Sequence, residues 1–283
     1  MAKQSSVKLH KFLPHHALSL VVGWLTDRRW QWLKNPFIAW FIKRYGVDMS
    51  EAQQPDYRQY ATFNEFFTRR LTAGARPLDA NSNTIISPVD GVISELGQLS
   101  SERILQAKGK FYNVSALLGG SVKHAAAFQD GAFLTAYLAP KDYHRIHMPI
   151  TGRLLEMIHV PGRLFSVNPI SVTEIDHLFA RNERAICLFD TALGPMAMVI
   201  VGAMLVGSIV TVWQGQVTPP TRKAVRCFHY RAENITVARG DEVGHFKMGS
   251  TVILLFAKNS IAWNEHLTAA SILKLGEVIA NPV

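Results

Sequence analysis

Three Gly-Ser pairs occur in the chain, and the third, Gly249-Ser250, stands where a serine could do chemistry. A Gly-Ser pair is ordinarily part of a turn. Here an apolar run, 252–256, follows almost at once, and glycine accepts backbone angles that hold a peptide bond under strain. Strain would favour attack of the Ser250 hydroxyl on the Gly249 carbonyl. The resulting ester, after elimination and hydrolysis, would leave a pyruvoyl group.

Such self-cleavage needs a base for the hydroxyl and a group that orients the base. Histidine is the usual base near neutral pH, and His147 is a candidate. Asp90, just before a glycine, could hold the imidazole in the required tautomer. An aspartate before glycine is also typical of a plain turn. From the residues alone, the pairing of Asp90 with His147 is one of two open interpretations.

Eleven histidines raise the alternative of a metal site, and His144 and His147 have a possible ligand spacing. In a strand, however, residues three apart point to opposite faces. No His-Glu-x-x-His motif or Cys-x-x-Cys pair accompanies them, so we expect no metal. The Gly-x-Ser-x-Gly motif of many serine hydrolases is also missing.

The composition describes a folded protein with a basic surface. Of 283 residues, 48% are hydrophobic and 18% charged, which excludes a disordered chain. The net charge of +9 favours an anionic partner, although a solvated basic surface would explain it equally well. The two cysteines, Cys187 and Cys227, predict no disulfide framework and favour an intracellular location.

The N-terminal apolar run, 17–25, follows Lys3, Lys8 and Lys11 and imitates a secretory signal. No small-residue cleavage site follows, and the run is too short to cross a bilayer. We therefore expect neither a cleaved signal nor a membrane span here.

The uncharged stretch 196–213 is long enough for a transmembrane helix. Many of its residues are β-branched, and Gly202 and Gly207 interrupt it. This pattern predicts two buried strands.

Aromatic and basic residues alternate near the N-terminus. Tryptophan favours the membrane–water boundary, and apolar helices rich in Lys and Arg lie in that interface. The alternative is that these aromatic residues pack against the rest of the protein. Binding of nucleic acid is a weaker alternative, and we do not expect nucleic acid as a partner. The residues predicted to contact membrane are Trp24, Trp30, Trp32 and Trp40.

The chain is expected to be an α+β protein that divides near residue 75. Residues 1–75 form a helical membrane-association region, and 76–283 form a mostly β catalytic domain. The predicted strands are 84–86, 91–96, 132–138, 145–149, 152–159, 184–190, 197–201, 207–213 and 251–256.

Several segments, in order along nearly the whole chain, resemble those of bacterial phosphatidylserine decarboxylases. The processing motif Leu-Gly-Ser-Thr of that family is similar to 248–251, where Met248 replaces the usual leucine at nearly equal volume. The other similar segments are 63–69, 88–91, 143–149, 161–168, 201–203 and 244–256.

The resemblance implies roles for the candidate residues. Ser250 would be the nucleophile and then the pyruvoyl cofactor, with Asp90 and His147 completing a triad for cleavage between Gly249 and Ser250. His144 would assist decarboxylation. A large chain, 1–249, and a small chain, 250–283, would stay associated as a heterodimer.

The resemblance also implies which reaction the protein catalyses and where in the cell it acts. The substrate amine would form a Schiff base with the pyruvoyl carbonyl, CO2 would leave, and phosphatidylethanolamine would be released. The partners would be phosphatidylserine and an anionic membrane, and the location the cytoplasmic side of the cell membrane, peripherally bound.

Two rival functions stay open at this stage. A pyruvoyl decarboxylase of soluble amino acids would share the chemistry without needing the tryptophan cluster. A non-catalytic membrane-binding module would leave the bond between Gly249 and Ser250 intact.

Overall fold

The computed structural model describes residues 15–107, 109–204, 208–218, 224–247 and 250–283, and at Ser250 it describes the backbone. Met248 and Gly249 of the predicted cleavage motif lie outside these residues, as do Gly207 and the three lysines before residue 15.

Helices dominate the N-terminal part of the chain. Helix α1 is His15–Thr26 and α2 is Gln31–Tyr45, followed by a 3-10 turn, Tyr57–Gln59, and the short helix α3, Phe63–Phe67. Helix α2 ends at Gly46, whose φ of 68° is left-handed and suits glycine. No helix in the described part of the chain is long and apolar enough to cross a membrane.

This helical region has its own small aromatic core. Phe41, Phe63, Phe66 and Phe67 are buried together with aliphatic neighbours. The tryptophans do not take part: Trp24, Trp30, Trp32 and Trp40 are 51%, 45%, 75% and 53% exposed. The four indoles are therefore available to a partner outside the chain.

The rest of the chain is mainly strands with a few short helices. The helices are α4 Val114–Leu117, α5 Val122–Ala126, α6 Pro169–Glu174 and α7 Leu178–Arg181. The strands are β1 Ile85–Ile86, β2 Gly91–Gln98, β3 Arg103–Ala107, β4 Lys110–Asn113, β5 Ala132–Leu138, β6 Arg145–His147, β7 Gly152–Val160, β8 Arg184–Thr191, β9 Gly194–Val201, β10 Ser208–Thr211, β11 Gly215–Gln216, β12 Arg226–His229, β13 Thr236–Val237, β14 Glu242–Lys247, β15 Ser250–Phe256, β16 Ile261–Trp263, β17 Ile272–Leu273 and β18 Val278–Pro282.

The largest sheet has nine strands in the order β12-β7-β8-β9-β15-β5-β2-β17, with β13 also paired to β7. Strand β15 lies in the middle, antiparallel to both β9 and β5. Its residues 252–256 are all buried, which explains their unbroken apolar sequence. The first residue of this central strand is Ser250.

Smaller sheets complete the fold. One has the order β11-β10-β14-β6 and another β1-β18-β16, while β3 and β4 form a separate hairpin. Strand β14 ends at Lys247, only two residues before β15 begins. The chain therefore passes from one sheet to the centre of another at the predicted cleavage site.

The predicted α+β class is confirmed, with helices first and sheets after. The uncharged stretch 196–213 contributes to strands β9 and β10, also as predicted. The prediction missed the short strands β3, β4, β11 to β13 and β16 to β18, and it missed β14. The division of domains near residue 75 stays a prediction.

Candidate active site

The start of β15 is held by both neighbouring strands. Ser250 pairs with Leu138, the last residue of β5, and the next residue, Thr251, pairs with Val201 at the end of β9. The turns that follow β5 and β9 therefore begin beside Ser250.

Asn182 holds one side of this region together. Its amide nitrogen donates to the carbonyl oxygens of Phe165 and Gly202, each at 2.9 Å, and its oxygen accepts from the Phe165 N–H at 3.0 Å. Asn182 is fully buried. Because Gly202 directly follows Val201, this side chain fixes the backbone near the start of β15.

His144 lies on the other side, in the turn between β5 and β6. Its ring is fully buried, with its centroid 4.1 Å from that of Phe67. The Phe246 N–H donates to the His144 carbonyl oxygen at 3.1 Å. His144 is therefore beside the end of β14, the strand that leads to Ser250.

The imidazole of His144 is neutral and has a defined tautomer. Nδ1–H donates to the Asp142 carbonyl oxygen at 2.8 Å, so Nε2 carries the lone pair. Burial and the charge of Arg69 lower the pKa of His144 to about 3. Nε2 has no hydrogen-bond partner in the described part of the chain.

His147 lies at the opposite end of β6, paired with Glu242 of β14. At about 3.3 Å per residue, it is about 10 Å along the strand from His144. Its Nδ1–H donates to the Gly240 carbonyl oxygen at 2.8 Å, and the Tyr143 hydroxyl donates to Nε2 at 3.3 Å. Burial lowers the pKa of His147, so it too is neutral near pH 7.

Asp90 is adjacent to His147 in the fold, because the His147 N–H donates to the carbonyl oxygen of Pro88. The Asp90 carboxylate, however, accepts from Arg76 at 2.9 Å and 2.6 Å and from the Leu275 N–H at 2.9 Å. Among the described residues no hydrogen bond joins Asp90 to His147, and the Gly240 carbonyl holds the imidazole instead.

Two cavities meet here. One is lined by Asp90 and the other by His147, and Arg76 and Tyr143 line both. Burial raises the pKa of Tyr143 to about 12, so its hydroxyl stays protonated and able to donate.

Glu242 anchors the start of β14. Burial alone would raise its pKa, but hydrogen bonds from His245 and Arg145 outweigh burial and lower the pKa to about 2. Arg145 donates twice to this carboxylate, at 2.8 Å and 2.7 Å, and also to the Thr68 carbonyl oxygen. Arg145 thus joins the helical region, at Thr68, to β14, and His245, to which the sequence assigned no role, is hydrogen-bonded to the same Glu242 carboxylate.

The arrangement includes residues that the sequence did not single out, namely Arg69, Arg76, Tyr143 and Gly240. Arg69 ends the segment 63–69, so its place in a recognised segment was the available signal. Gly240 acts through its carbonyl oxygen, which any residue would supply, so its side chain carries no signal for this contact.

A pyruvoyl group at residue 250 fits these surroundings. Its backbone position is fixed by β5 on one side, and the buried nitrogen of His144 lies in the turn that follows β5. A neutral imidazole with a free lone pair can accept a proton there and then give it up.

Comparison with known proteins assigns the family. A family described as phosphatidylserine decarboxylase matches residues 63–281, and one described as PSD matches residues 6–46. A phosphatidylserine decarboxylase proenzyme of Coxiella burnetii (strain RSA 331 / Henzerling II) is 56% identical over 272 residues, covering 96% of each chain. The proenzymes of Ectopseudomonas mendocina (strain ymp) and Pseudomonas aeruginosa (strain LESB58) are 53% and 52% identical, covering 95% of this chain and 95% and 94% of their own. On this evidence the chain belongs to the phosphatidylserine decarboxylase family.

Proposed function

We propose that the protein converts phosphatidylserine to phosphatidylethanolamine and CO2, using a pyruvoyl group made from its own Ser250. The observation that carries this proposal is the position of Ser250, at the start of the central strand and flanked by the turn that bears a buried, neutral His144. The relatives named phosphatidylserine decarboxylase proenzyme support both the reaction and the self-processing.

The pyruvoyl carbonyl supplies the electron sink for the loss of CO2. The lone pair on Nε2 of His144 takes up a proton that the substrate ammonium group loses, and the imidazole gives this proton to the substrate carbon after CO2 has left. Its Nδ1–H bond to the Asp142 carbonyl fixes the ring, and Phe67 covers it from water. General acid–base help of this kind contributes about 10²–10⁴-fold in rate.

In the preceding cleavage step, Ser250 is the nucleophile at the bond to Gly249. His147 is the base, and Asp90 completes the triad. A neutral His147 with its Nδ1–H held by the Gly240 carbonyl supports the role of base. Asp90 acts on the site through Arg76, which lines both cavities.

The helical region brings the protein to its lipid substrate. Four exposed tryptophans and a net charge of +9 suit the surface of an anionic bilayer. The same region reaches the site: Phe67 contacts His144, and Asp27, just after α1, lies 3.8 Å from Lys247 of β14. The protein thus binds peripherally, on the cytoplasmic side of the cell membrane.

After cleavage, the large chain 1–249 and the small chain 250–283 remain a heterodimer. Strand β15 of the small chain is hydrogen-bonded on both edges, to β5 and β9 of the large chain. Strand β18 also pairs with β1.

The first experiment is intact mass measurement on the purified protein and on Ser250→Ala. The proposal predicts two chains for the wild type, one for Ser250→Ala, and two for the control Ser115→Ala. His147→Ala should stay uncut, whereas His144→Ala should be cut yet decarboxylate poorly, with the exposed His266→Ala as control. A wild-type protein that stays in one piece would eliminate this function and leave the membrane-binding module.

The second experiment tests the substrate. Vesicles containing phosphatidylserine are incubated with wild type and with Trp32→Ala/Trp40→Ala, and phosphatidylethanolamine is measured. The double variant should be processed normally but act slowly on vesicles. Decarboxylation of free serine at a comparable rate, unaffected by the tryptophan changes, would favour the soluble amino-acid decarboxylase.

A further inference from the structure

The cavity beside Asp90 is lined by an arginine, Arg69, that forms no ion pair among the described residues. The cavity has a volume of about 260 Å³. Four cationic side chains line it: Arg69, Arg76, Lys141 and Lys274. Arg76 is held by Asp90 and Glu51, and Lys274 lies 3.9 Å from Glu51.

Arg69 differs from the others because it is buried without a carboxylate partner. The residue is 4% exposed. Its Nη2 donates to the Lys141 carbonyl oxygen at 3.0 Å, but Nε and Nη1 have no hydrogen-bond partner among the described residues. Asp90 and Asp142 influence Arg69 only through their charge, and burial lowers its pKa. A buried, unsatisfied guanidinium is unfavourable unless an anion binds it.

The local structure prepares this guanidinium for a ligand. The backbone N–H of Arg69 donates to the Phe66 carbonyl oxygen, and its guanidinium lies 5.7 Å from the centre of the Phe66 ring. Nε–H and Nη1–H lie on different edges of the planar guanidinium, so each can donate a charge-assisted hydrogen bond to an anionic oxygen of a phosphate or carboxylate. Arg69 is also near the reaction site, since its charge helps to lower the pKa of His144.

We propose that Arg69, through its charge and a hydrogen bond from Nε or Nη1, binds the phosphodiester of the phospholipid headgroup and so positions the serine moiety for decarboxylation. This inference rests on the proposed function. The headgroup has two anionic groups, and their fates differ. The carboxylate must leave as neutral CO2, so a buried cation bound to it would stabilise the ground state and oppose the reaction. The phosphodiester keeps its charge from substrate to product, so Arg69 can bind it throughout.

The test compares Arg69→Met with Arg103→Met, an exposed arginine that likewise lies over an aromatic ring, that of Phe111. Each variant is first confirmed to be cleaved by mass measurement. KM and kcat are then measured with phosphatidylserine in mixed micelles, and the inhibition constant is measured for phosphatidylethanolamine, which has the phosphodiester but no carboxylate. Arg69→Met should raise both KM and the inhibition constant by about tenfold to a hundredfold, the effect of losing charge-assisted hydrogen bonds. Its kcat should change much less, and Arg103→Met should match wild type.

The outcomes separate the possible ligands. If KM rises while the inhibition constant for phosphatidylethanolamine stays the same, Arg69 binds the carboxylate and the proposal is overturned. Unchanged values of both would also overturn it. If Arg69→Met does not fold, Arg69→Lys decides. This variant keeps the charge but loses the planar guanidinium that holds the N–H donors in place, and wild-type constants in it would refute the proposal. An inactive wild type would instead refute the proposed function itself.

Discussion

Removal of Arg76 should destabilise the protein far more than removal of an exposed arginine. In Arg76→Met, the buried Asp90 loses its three hydrogen bonds to the guanidinium, and breaking a buried pair costs about 3–5 kcal/mol. Glu51 is 32% exposed, so its share is about 0–1 kcal/mol. For this total of about 3–6 kcal/mol, at about 2–4 °C per kcal/mol, the melting temperature should fall by about 6–24 °C.

The measurement is thermal unfolding followed by circular dichroism, with every variant carrying Ser250→Ala so that all chains are uncut. The control is Arg153→Met, which breaks the pair of Arg153 with Asp190 at 3.1 Å, where the side chains are 42% and 52% exposed. The free energy of unfolding of this control variant should fall by less than about 1 kcal/mol. An Arg76→Met variant that melts within a few degrees of the control would refute the reasoning.

A double-mutant cycle that combines Arg76→Met with Asp90→Asn would show how much of the lost stability comes from the Arg76–Asp90 ion pair. The amide of Asn keeps an oxygen that can accept from the Leu275 N–H, so Asp90→Asn alone should cost less than Arg76→Met. The two changes should be non-additive by about 0.5–3 kcal/mol. With Ser250 restored, cleavage by a folded Arg76→Met protein would show that Asp90 acts on His147 without Arg76.

Three further predictions concern neighbouring features. Asn182→Ala leaves buried backbone groups unpaired and should lose about 2–4 kcal/mol in urea unfolding, whereas Asn113→Ala, exposed and without a side-chain capping bond, should lose almost nothing. Gly91→Ala would place a methyl group against the carbonyl oxygen of Tyr137 in β5, so a denaturing gel should show less cleaved protein; normal cleavage would mean that β2 can move aside. The lowered pKa of His144 means that the unfolded chain binds its proton more readily, so stability should fall as pH drops below about 6.5. Between pH 6.5 and 5, His144→Gln should reduce that slope by up to about 1.4 kcal/mol per pH unit, and an unchanged slope would contradict the buried environment.

The long apolar strands were predictable because their patterns are local. Residues 252–256 and 196–201 are continuous apolar runs that include β-branched valine and isoleucine, and both lie in the middle of the large sheet. Strand β14 was missed because Glu242-Val243-Gly244-His245-Phe246-Lys247 mixes charge, glycine and apolar residues, and it becomes a strand only by pairing with β6 and β10. Such pairing depends on contacts far apart in sequence.

The candidate site was predictable in its members but not in its contacts. The motifs identified the family, and the comparisons confirm it. The roles of Ser250, Asp90, His147 and His144 stay predictions. Spacing could not show that Asp90 contacts Arg76, or that backbone carbonyls hold both imidazoles, because tertiary packing decides which atoms meet.

The central position of β15 also constrains the order of events during synthesis. The strand that β5 and β9 both require belongs to the last part of this sequence, after residue 250. The helices bearing the exposed tryptophans leave the ribosome long before it. These helices can therefore meet a bilayer while the sheet still lacks its middle strand. Under the proposed function, self-cleavage at Ser250 would therefore follow the insertion of β15 between β5 and β9.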